Sequence, residues 1–358
     1  MEKKVKMVND QARATPKLWI GLDYHKKTWR VHFRTEEISG YPFSMEPLPD
    51  KLFAKVQKEY PGYGIEIVYE CGCFGYWAHR KFESYNWKSL VVNPSDIPRM
   101  SKEKQGKTDS IDARKLSKYL KAGLLRSVTI PSVQREHLRS LFRRRVQLVK
   151  NMRSSKCILK AQLLYFGVKI PEKLDNSSWT KEFRDWIKSL GWEFQTSKQM
   201  VMSNINQIEY MHNQINEIGR SLRQYCEDNY KKEYDLLKSV PGVGPLTAIC
   251  FICEVGDINR FKNFKQLACL IGMMPSTYQS ANTNIAKGLT PRALRIMRSY
   301  LIEASWQAIR IDPVLREYYK NHEGKKPNEK IVKVARKLLC RIYGILRTGN
   351  PYELGLVK

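Results

Sequence analysis

LWIGLD (18–23), TWRVHF (28–33) and GIEIVYE (64–70) decide the fold. The first is an apolar run that ends on Asp23. The second alternates apolar and polar residues after a polar turn at 24–27. The third is rich in β-branched residues and ends on Glu70, where CGCFG (71–75) turns the chain. Alternation at period two, or a short apolar run closed by turn residues, marks a strand. SLVV (89–92) is a fourth such run, stopped by Asn93-Pro94. Helices are expected over 50–60, 76–85 and 108–121; in the last, Ile111, Leu116 and Leu120 share one side. Strands that alternate with helices in this way specify an α/β domain.

Outward from that domain the pattern changes. Residues 134–166 contain neither Gly nor Pro, and Leu138, Met152, Leu159 and Phe166 fall at multiples of seven, with Arg145 as the exception. A second helix is expected over about 198–225. There Val201, Ile208, Ile215 and Leu222 repeat every seven residues, with Met211, Ile218 and Tyr225 on a companion seam. Such seams suit a coiled-coil hairpin or dimerisation arm, and equally an ordinary packed bundle. The last third opens with SVPGVGPLTAICFICEVGDINRF (239–261), where Pro241-Gly242-Val243-Gly244 separates two helical stretches. This is a helix–hairpin–helix pattern, in which the amides of Gly242 and Gly244 can meet a phosphate at a helix N-terminus. A further helical pair is expected over 263–270 and 291–310, with a polar loop, PSTYQSANTNIAKG (275–288), between.

The charge names a class of partner. The 358 residues carry 63 Lys plus Arg against 35 Asp plus Glu, a net +28, and the pI is near 9.7. A surplus of that size repels itself unless it meets an anion, and nucleic acid is the usual one. The excess is concentrated. Between Leu138 and Ile170 there is no acidic residue, while Arg139, Arg143, Arg144, Arg145, Lys150, Arg153, Lys156, Lys160 and Lys169 all fall there. A helix so poor in compensating Glu points to phosphate contact rather than a solvated face. No apolar run is long enough for a membrane helix. The polar start, MEKKVKMVNDQARATPK, lacks the apolar core of a secretory signal and reads as a disordered basic extension. Eight scattered cysteines argue against a disulfide framework and for a reducing cytoplasm. Cys250 and Cys253 sit in an apolar helical run and read as buried thiols rather than zinc ligands.

Four carboxylates could carry chemistry. Asp23 and Glu70 end strands that come together if the strands are neighbours, and Asp109 and Asp112, three apart, share a helix face. An all-oxygen set suits Mg2+ or Mn2+, and such ions serve phosphoryl transfer. Taken singly, these residues are ordinary: acidic side chains favour a first helical turn, and Asp23 could begin a turn. His25 could assist proton transfer, although a surface turn explains it as well. Trp19, Tyr24, Trp29, Tyr69, Phe74, Tyr76 and Trp77 read mostly as core.

With these residues in view, IGLDYHKKTWRVHF (20–33), YECGCFGYWAHRKFESYNWKSLVVNPSDIPRM (69–100) and KTDSIDARKLSKYL (107–120) resemble the N-terminal half of the DEDD transposases. That family includes insertion-sequence transposases that act as bridge-RNA-guided recombinases, and pilin-gene inverting recombinases. SVPGVGPLTAICFICEVGDINRFKNFKQLACLIGMMPSTYQS (239–280) is similar to their C-terminal transposase domain. The resemblance implies an α/β RuvC-like (RNase H-type) first domain, a helical coiled-coil middle and a mainly α C-terminal domain. It makes Asp23, Glu70, Asp109 and Asp112 the DEDD set, holding Mg2+. The expected division is an extension at 1–17, the RuvC-like domain at 18–128, helical middle at 129–232, serine-loop domain at 233–330 and a basic helix or tail at 331–358.

The family also carries a serine shortly after a Gly-x-x-Pro element. Here Gly272-Met273-Met274-Pro275 precedes Ser276 and Ser280, and Ser280 is the better positional match. Ala281 replaces the usual glycine, which leaves Ser276 as an alternative. Lys287 belongs to the short basic stretch beyond. The resemblance thus implies a mobile-element recombinase in which a serine attacks DNA and holds the broken end covalently. Its implied partners are donor and target double-stranded DNA, an element-encoded guide RNA, and further copies of the chain, a dimer and in synapsis a tetramer. The setting it implies is the bacterial cytoplasm at the nucleoid. A metal-dependent junction nuclease using water, and a non-catalytic nucleic-acid-binding protein, are the alternatives.

Overall fold

The computed structural model describes residues 15–98, 109–175, 178–280, 283–289, 293–322 and 324–355. Most of the basic N-terminal extension, and the loop RMSKEKQGK at 99–107, lie outside these residues. The chain forms two compact units, Met1–Ile130 and Pro131–Lys358.

The first unit is a mixed sheet with helices on both faces. In chain order it runs β1 (Lys17–Tyr24), β2 (Trp29–Arg34), β3 (Phe43–Met45), α1 (Pro49–Glu59), β4 (Gly64–Glu70), α2 (Trp77–Ser84), β5 (Lys88–Val92) and α3 (Asp109–Lys121). The sheet order is β3-β2-β1-β4-β5. β1–β2 and β2–β3 pair antiparallel, whereas β1–β4 and β4–β5 pair parallel. This arrangement is consistent with a DEDD-type, RuvC-like domain. The expected strands and helices all form. β3 was not anticipated, because three residues at a sheet edge are too short to display a period.

Alternation along β1 explains how the layers assemble. Leu18, Ile20 and Leu22 are fully buried with Ile67, Tyr69, Leu52, Val56 and Phe82, on the side of α1 and α2. Each such side chain contributes roughly 2 kcal/mol by leaving water. Trp19 turns to the other face, where Val68, Leu116, Tyr119 and Leu120 form a smaller core under α3. Gly21 lies on that second face. A β-carbon there would stand 2.0 Å from the Ala113 carbonyl oxygen and 2.6 Å from the Ser117 nitrogen. Only glycine lets α3 lie so close to β1. His32 of β2 fixes the same helix: its Nδ1 is 2.7 Å from Ser117 Oγ and its Nε2 2.9 Å from the Gly40 carbonyl. Burial, with Arg34 nearby, pushes the His32 pKa down to about 4, so the imidazole is neutral at pH 7.

The second unit is mostly helical: α4 (Val133–Tyr165), α5 (Lys181–Ser189), α6 (Gln195–Asn229), α7 (Lys231–Ser239), α8 (Pro245–Glu254), α9 (Phe264–Ile271), β6 (Pro275–Ser280), β7 (Thr283–Leu289), α10 (Arg295–Ile311), α11 (Pro313–Lys320) and α12 (Pro327–Thr348). Ser132 caps α4 by accepting from the Arg135 backbone nitrogen. The two long helices α4 and α6 pack on one another. The seven-residue seam of α6 is buried throughout, at Val201, Ile208, Ile215 and Leu222. On α4, Leu138 and Leu159 are buried, whereas Phe166, the residue just past its end, is exposed. The short α5 inserts Phe183 and Ile187 into the α4–α6 core.

One expectation needs correction. The segment at 275–288 is a two-stranded antiparallel hairpin, β6–β7, rather than a loop. Its small and polar residues carry no apolar alternation, which is why the strand signal is missing from the sequence.

Candidate active site

Asp23 and Glu70 stand side by side in the sheet. The parallel register pairs Leu22 with Tyr69, which makes Asp23 and Glu70 the next residues on two neighbouring strands. Both fall on the α3 face by alternation with Trp19 and Val68. Both are half-buried. His25 Nε2 lies 3.2 Å from Asp23 Oδ2. The strand end is braced by Tyr24, whose ring packs against Trp29, Tyr69 and Phe74.

The start of α3, which carries Asp109 and Asp112 in sequence, lies at the same end. The helix runs against the direction of β1, because Ala113 and Ser117 contact Gly21 while Lys121, further along, reaches the Trp19 ring. Asp109 is four residues before Ala113, about 6 Å along a helix axis. Asp23 is two residues beyond Gly21, about 7 Å along a strand. The start of α3 is therefore level with the Asp23 strand end. The buried stripe of α3 includes Ala113, Leu116, Ser117 and Leu120, and positions 109 and 112 continue it toward the N-terminus. Asp112 is half-buried; the side chain of Asp109 lies outside the described residues.

The donor set fits a hard divalent cation in kind: carboxylate oxygens, two of them on adjacent strand ends. Among the described residues, no three His, Cys, Asp or Glu side chains are gathered closely enough to hold a metal ion. The register supplies the Asp23–Glu70 pair, and Asp109 and Asp112 stand at the rim of the same strand ends.

Ser280 is the last residue of β6 and pairs with Thr283. It thus stands at the tip of the hairpin, while Ser276 pairs with Lys287 nearer the base. Ala281 lies outside the described residues. The hairpin root is held by backbone carbonyls. Gly272 ends α9 in the left-handed conformation, φ 77°. Arg298 Nη1 donates to the Gly272 carbonyl at 3.4 Å, and Arg336 Nη1 to that of Met273 at 3.1 Å. Neither arginine was singled out in the sequence, since a long-range contact to a carbonyl leaves no local pattern.

Two profiles of one transposase family match the chain. The DEDD-type IS110 transposase profile covers residues 20–166. The other, described as "Transposase IS116/IS110/IS902 family", covers residues 234–320. The chain belongs to this family of transposases. Members of the IS110 family are enzymes of DNA recombination. A Sinorhizobium fredii protein named as a transposase, y4qE, is 27% identical over 245 residues, 68% of this chain and 58% of that protein. The transposase for insertion sequence element IS1533 of Leptospira borgpetersenii is 24% identical over 81% of this chain and 85% of its own length. The pilin gene-inverting protein of Moraxella bovis is 26% identical over 36% of this chain and 41% of its own.

The basic stretch of this IS110-family chain divides into cations engaged by other elements of its unit and cations that face outward. Arg143 Nε and Nη2 donate to the two carboxylate oxygens of Glu254, both at 2.8 Å. Arg139 Nε donates to the Cys253 carbonyl at 2.8 Å. The Glu254 side chain is 1% exposed and ends α8, where a carboxylate opposes the helix dipole. Arg143 and Arg139 offset that. Arg145 also points inward: its Nε is buried, 3.4 Å from where a Gly219 β-carbon would stand. This explains the cation on the α4 seam. Arg144, Lys150 and Arg153 are exposed, and Lys156 is half-buried over the Trp179 ring.

The two glycines of the 241–244 turn differ as well. Gly242 has φ 81°, and a β-carbon on it would lie 2.1 Å from the Ala304 carbonyl oxygen. Its first duty is to let the turn lie against α10. Gly244 is exposed, with open space around it, and caps α8. Cys250 and Cys253 are fully buried, and burial raises both thiol pKa values, in keeping with core packing. Among the described residues no helix is long and apolar enough to cross a membrane.

Proposed function

We propose that the chain cuts and rejoins DNA strands of an insertion sequence, with Ser280 as nucleophile and Asp23, Glu70, Asp109 and Asp112 as the metal-binding set. The observation that carries this is the alignment of Asp23 and Glu70 on adjacent parallel strand ends, level with the start of α3. The family match supports it.

Bound divalent Mg2+, or Mn2+ in its place, would supply charge to stabilise the phosphorane-like transition state and the leaving oxygen. The chain's own residues do the rest. Ser280 Oγ loses its proton and bonds to the DNA phosphorus. The P–O bond to the neighbouring nucleotide breaks, and that sugar oxygen leaves with a proton. The phosphoserine link conserves one phosphodiester, so a second strand's hydroxyl can displace the serine without ATP. His25, 3.2 Å from Asp23, keeps that carboxylate oriented. Ser276, nearer the hairpin root, is the less favourable nucleophile because a tip residue reaches further toward a duplex.

Arg144, Lys150, Arg153, Lys156 and Lys287 hold nucleic-acid backbone, and the exposed amide of Gly244 is the better phosphate donor of the helix–hairpin–helix. Target choice passes through an element-encoded guide RNA, and the α4–α6 pair serves as a coiled-coil arm that joins protomers into the dimer and tetramer needed to synapse two duplexes. The five-part division expected from sequence, 1–17, 18–128, 129–232, 233–330 and 331–358, assigns these tasks along the chain.

The test is a denaturation-resistant adduct between the protein and labelled DNA in the presence of Mg2+ and candidate RNA. The adduct should form with the wild type and vanish in both Ser280→Ala and Asp23→Asn. Cut DNA with no adduct would assign the attack to water and overturn the serine.

A further inference from the structure

The C-terminal helix α12 carries a feature that the reaction above does not use. One face of α12 is core, through Val334, Leu338, Leu339 and Ile342. The opposite face, Lys333, Arg336, Lys337, Cys340 and Gly344, forms one wall of a cleft of about 720 Å³. Phe264, Tyr318 and the tail at Tyr352 close the other sides. The family profile ends at residue 320, so this wall lies beyond the matched segment.

Three observations concern what the cleft takes. The first is charge. Arg341 is committed to Asp312 at 2.6 Å and Arg336 to the Met273 carbonyl. Lys333 and Lys337 form no ion pair with a described carboxylate. The Lys325 ammonium crowds Lys333 and holds its pKa below the usual lysine range, against an opposite pull from Glu329. Such crowding is relieved by an anion. The second is aromatic surface: Lys337 Nζ sits 4.5 Å from the Tyr318 ring centroid and the Arg336 guanidinium 5.9 Å from that of Phe264. Paired cations and ring faces are the chemistry that grips an unpaired nucleotide, phosphate on one and base on the other. The third is Gly344. A mid-helix glycine costs about 1 kcal/mol relative to alanine, yet a β-carbon on Gly344 would meet nothing within 4 Å. The fold does not require this glycine; an occupant that approaches the helix backbone would.

We propose that the α12 cleft binds one unpaired DNA strand, with phosphates on Lys333 and Lys337 and a base laid over Gly344 against Tyr318. A cleft of this size holds a nucleotide, and a base must leave its stack to lie in it. Arg336 joins its wall to the root of the hairpin that ends in Ser280. The choice of DNA over RNA rests on the reading of Ser280 as the residue that attacks DNA; the existence of the strand site does not.

Equilibrium binding of fluorescent single-stranded DNA, single-stranded RNA and duplex DNA to the full chain tests this without any catalytic step. Lys333→Gln with Lys337→Gln should weaken single-stranded DNA at least tenfold and lower the slope of log affinity against log salt by about 1.4. Gly344→Leu should weaken it about tenfold by filling the cleft, leaving the salt slope as in wild type and the thermal midpoint no lower, since a better helix former enters open space. Duplex affinity should change less than twofold in both variants. Unchanged single-strand affinity in either variant overturns the site. An equal loss for the duplex overturns its restriction to one strand, and a loss confined to RNA overturns the DNA assignment. Adduct formation by Ser280, assayed separately, stands or falls on its own.

Discussion

Gly21→Ala probes the geometry on which the proposed chemistry depends. The added β-carbon would stand 2.0 Å from the Ala113 carbonyl oxygen, where ordinary contact begins at 3.4 Å. α3 must therefore retreat by about 1.4 Å from β1, the difference of those two distances. The obstacle is backbone, so no rotamer change absorbs it. Overpacking of this kind costs roughly 1–3 kcal/mol, which a domain of this size can survive. Its effect on the site is larger. Asp109 and Asp112 ride on the helix, whereas Asp23 and Glu70 stay with the sheet. Metal–ligand distances tolerate about 0.2 Å, and a misplacement near 1 Å costs on the order of a hundredfold in rate. Gly21→Ala should thus form the protein–DNA adduct at least about a hundredfold more slowly. Its circular dichroism and duplex affinity should stay close to wild type. A folded variant that reacts within threefold of wild type would refute the reasoning, for the helix and sheet carboxylates would not then act as one set.

Other outcomes follow from the same contacts. Arg143→Ala should lower stability by about 1–2 kcal/mol, because it strips the half-exposed bidentate partner from a buried Glu254 while Arg139 remains 4.0 Å away; a denaturant midpoint equal to wild type would contradict this, and pairing it with Glu254→Met should restore much of the loss. Replacing Arg144, Lys150 and Arg153 together by Gln should leave the midpoint unchanged and reduce the salt slope for duplex binding by up to about 2.7; an unaltered slope would remove these residues from the interface. His32 has a folded pKa of about 4 against an unperturbed 6.5. Its contribution is fully present above pH 6.5 and is lost as pH falls toward 4, about 3 kcal/mol in all. Denaturant unfolding at pH 7 and pH 4.5 should show that loss reduced in His32→Gln, and an identical pH response in the two proteins would exclude it. Gly242→Ala should destabilise the second unit by several times more than Gly244→Ala, since only Gly242 combines positive φ with a backbone neighbour; equal midpoints would deny the packing role.

The alternating runs of the first unit were sufficient to anticipate its strands, because a half-buried strand writes its two environments into consecutive residues. The same local logic exposed Asp23 and Glu70 as strand ends and the seven-residue seam of α6, whereas Asp109 and Asp112 stood out by their spacing and by resemblance to the transposase family. Contacts between remote segments left no such trace. Nothing near Arg143 announces that its guanidinium will meet Glu254, 111 residues away, so charge alone made it look like its exposed neighbour Arg144. Gly21 and Gly242 resemble turn or phosphate glycines until the carbonyls of Ala113 and Ala304 stand against them. The hairpin ending in Ser280 has no apolar period to read, and its strands exist through cross-strand hydrogen bonds. Composition and periodicity determined the element types outside β3 and the β6–β7 hairpin, the basic partner class and the candidate carboxylates, since these depend on each residue's own chemistry. Which cations face inward, which glycines permit close approach and which carboxylates share an edge depend on pairwise distances, and only the tertiary structure decided those.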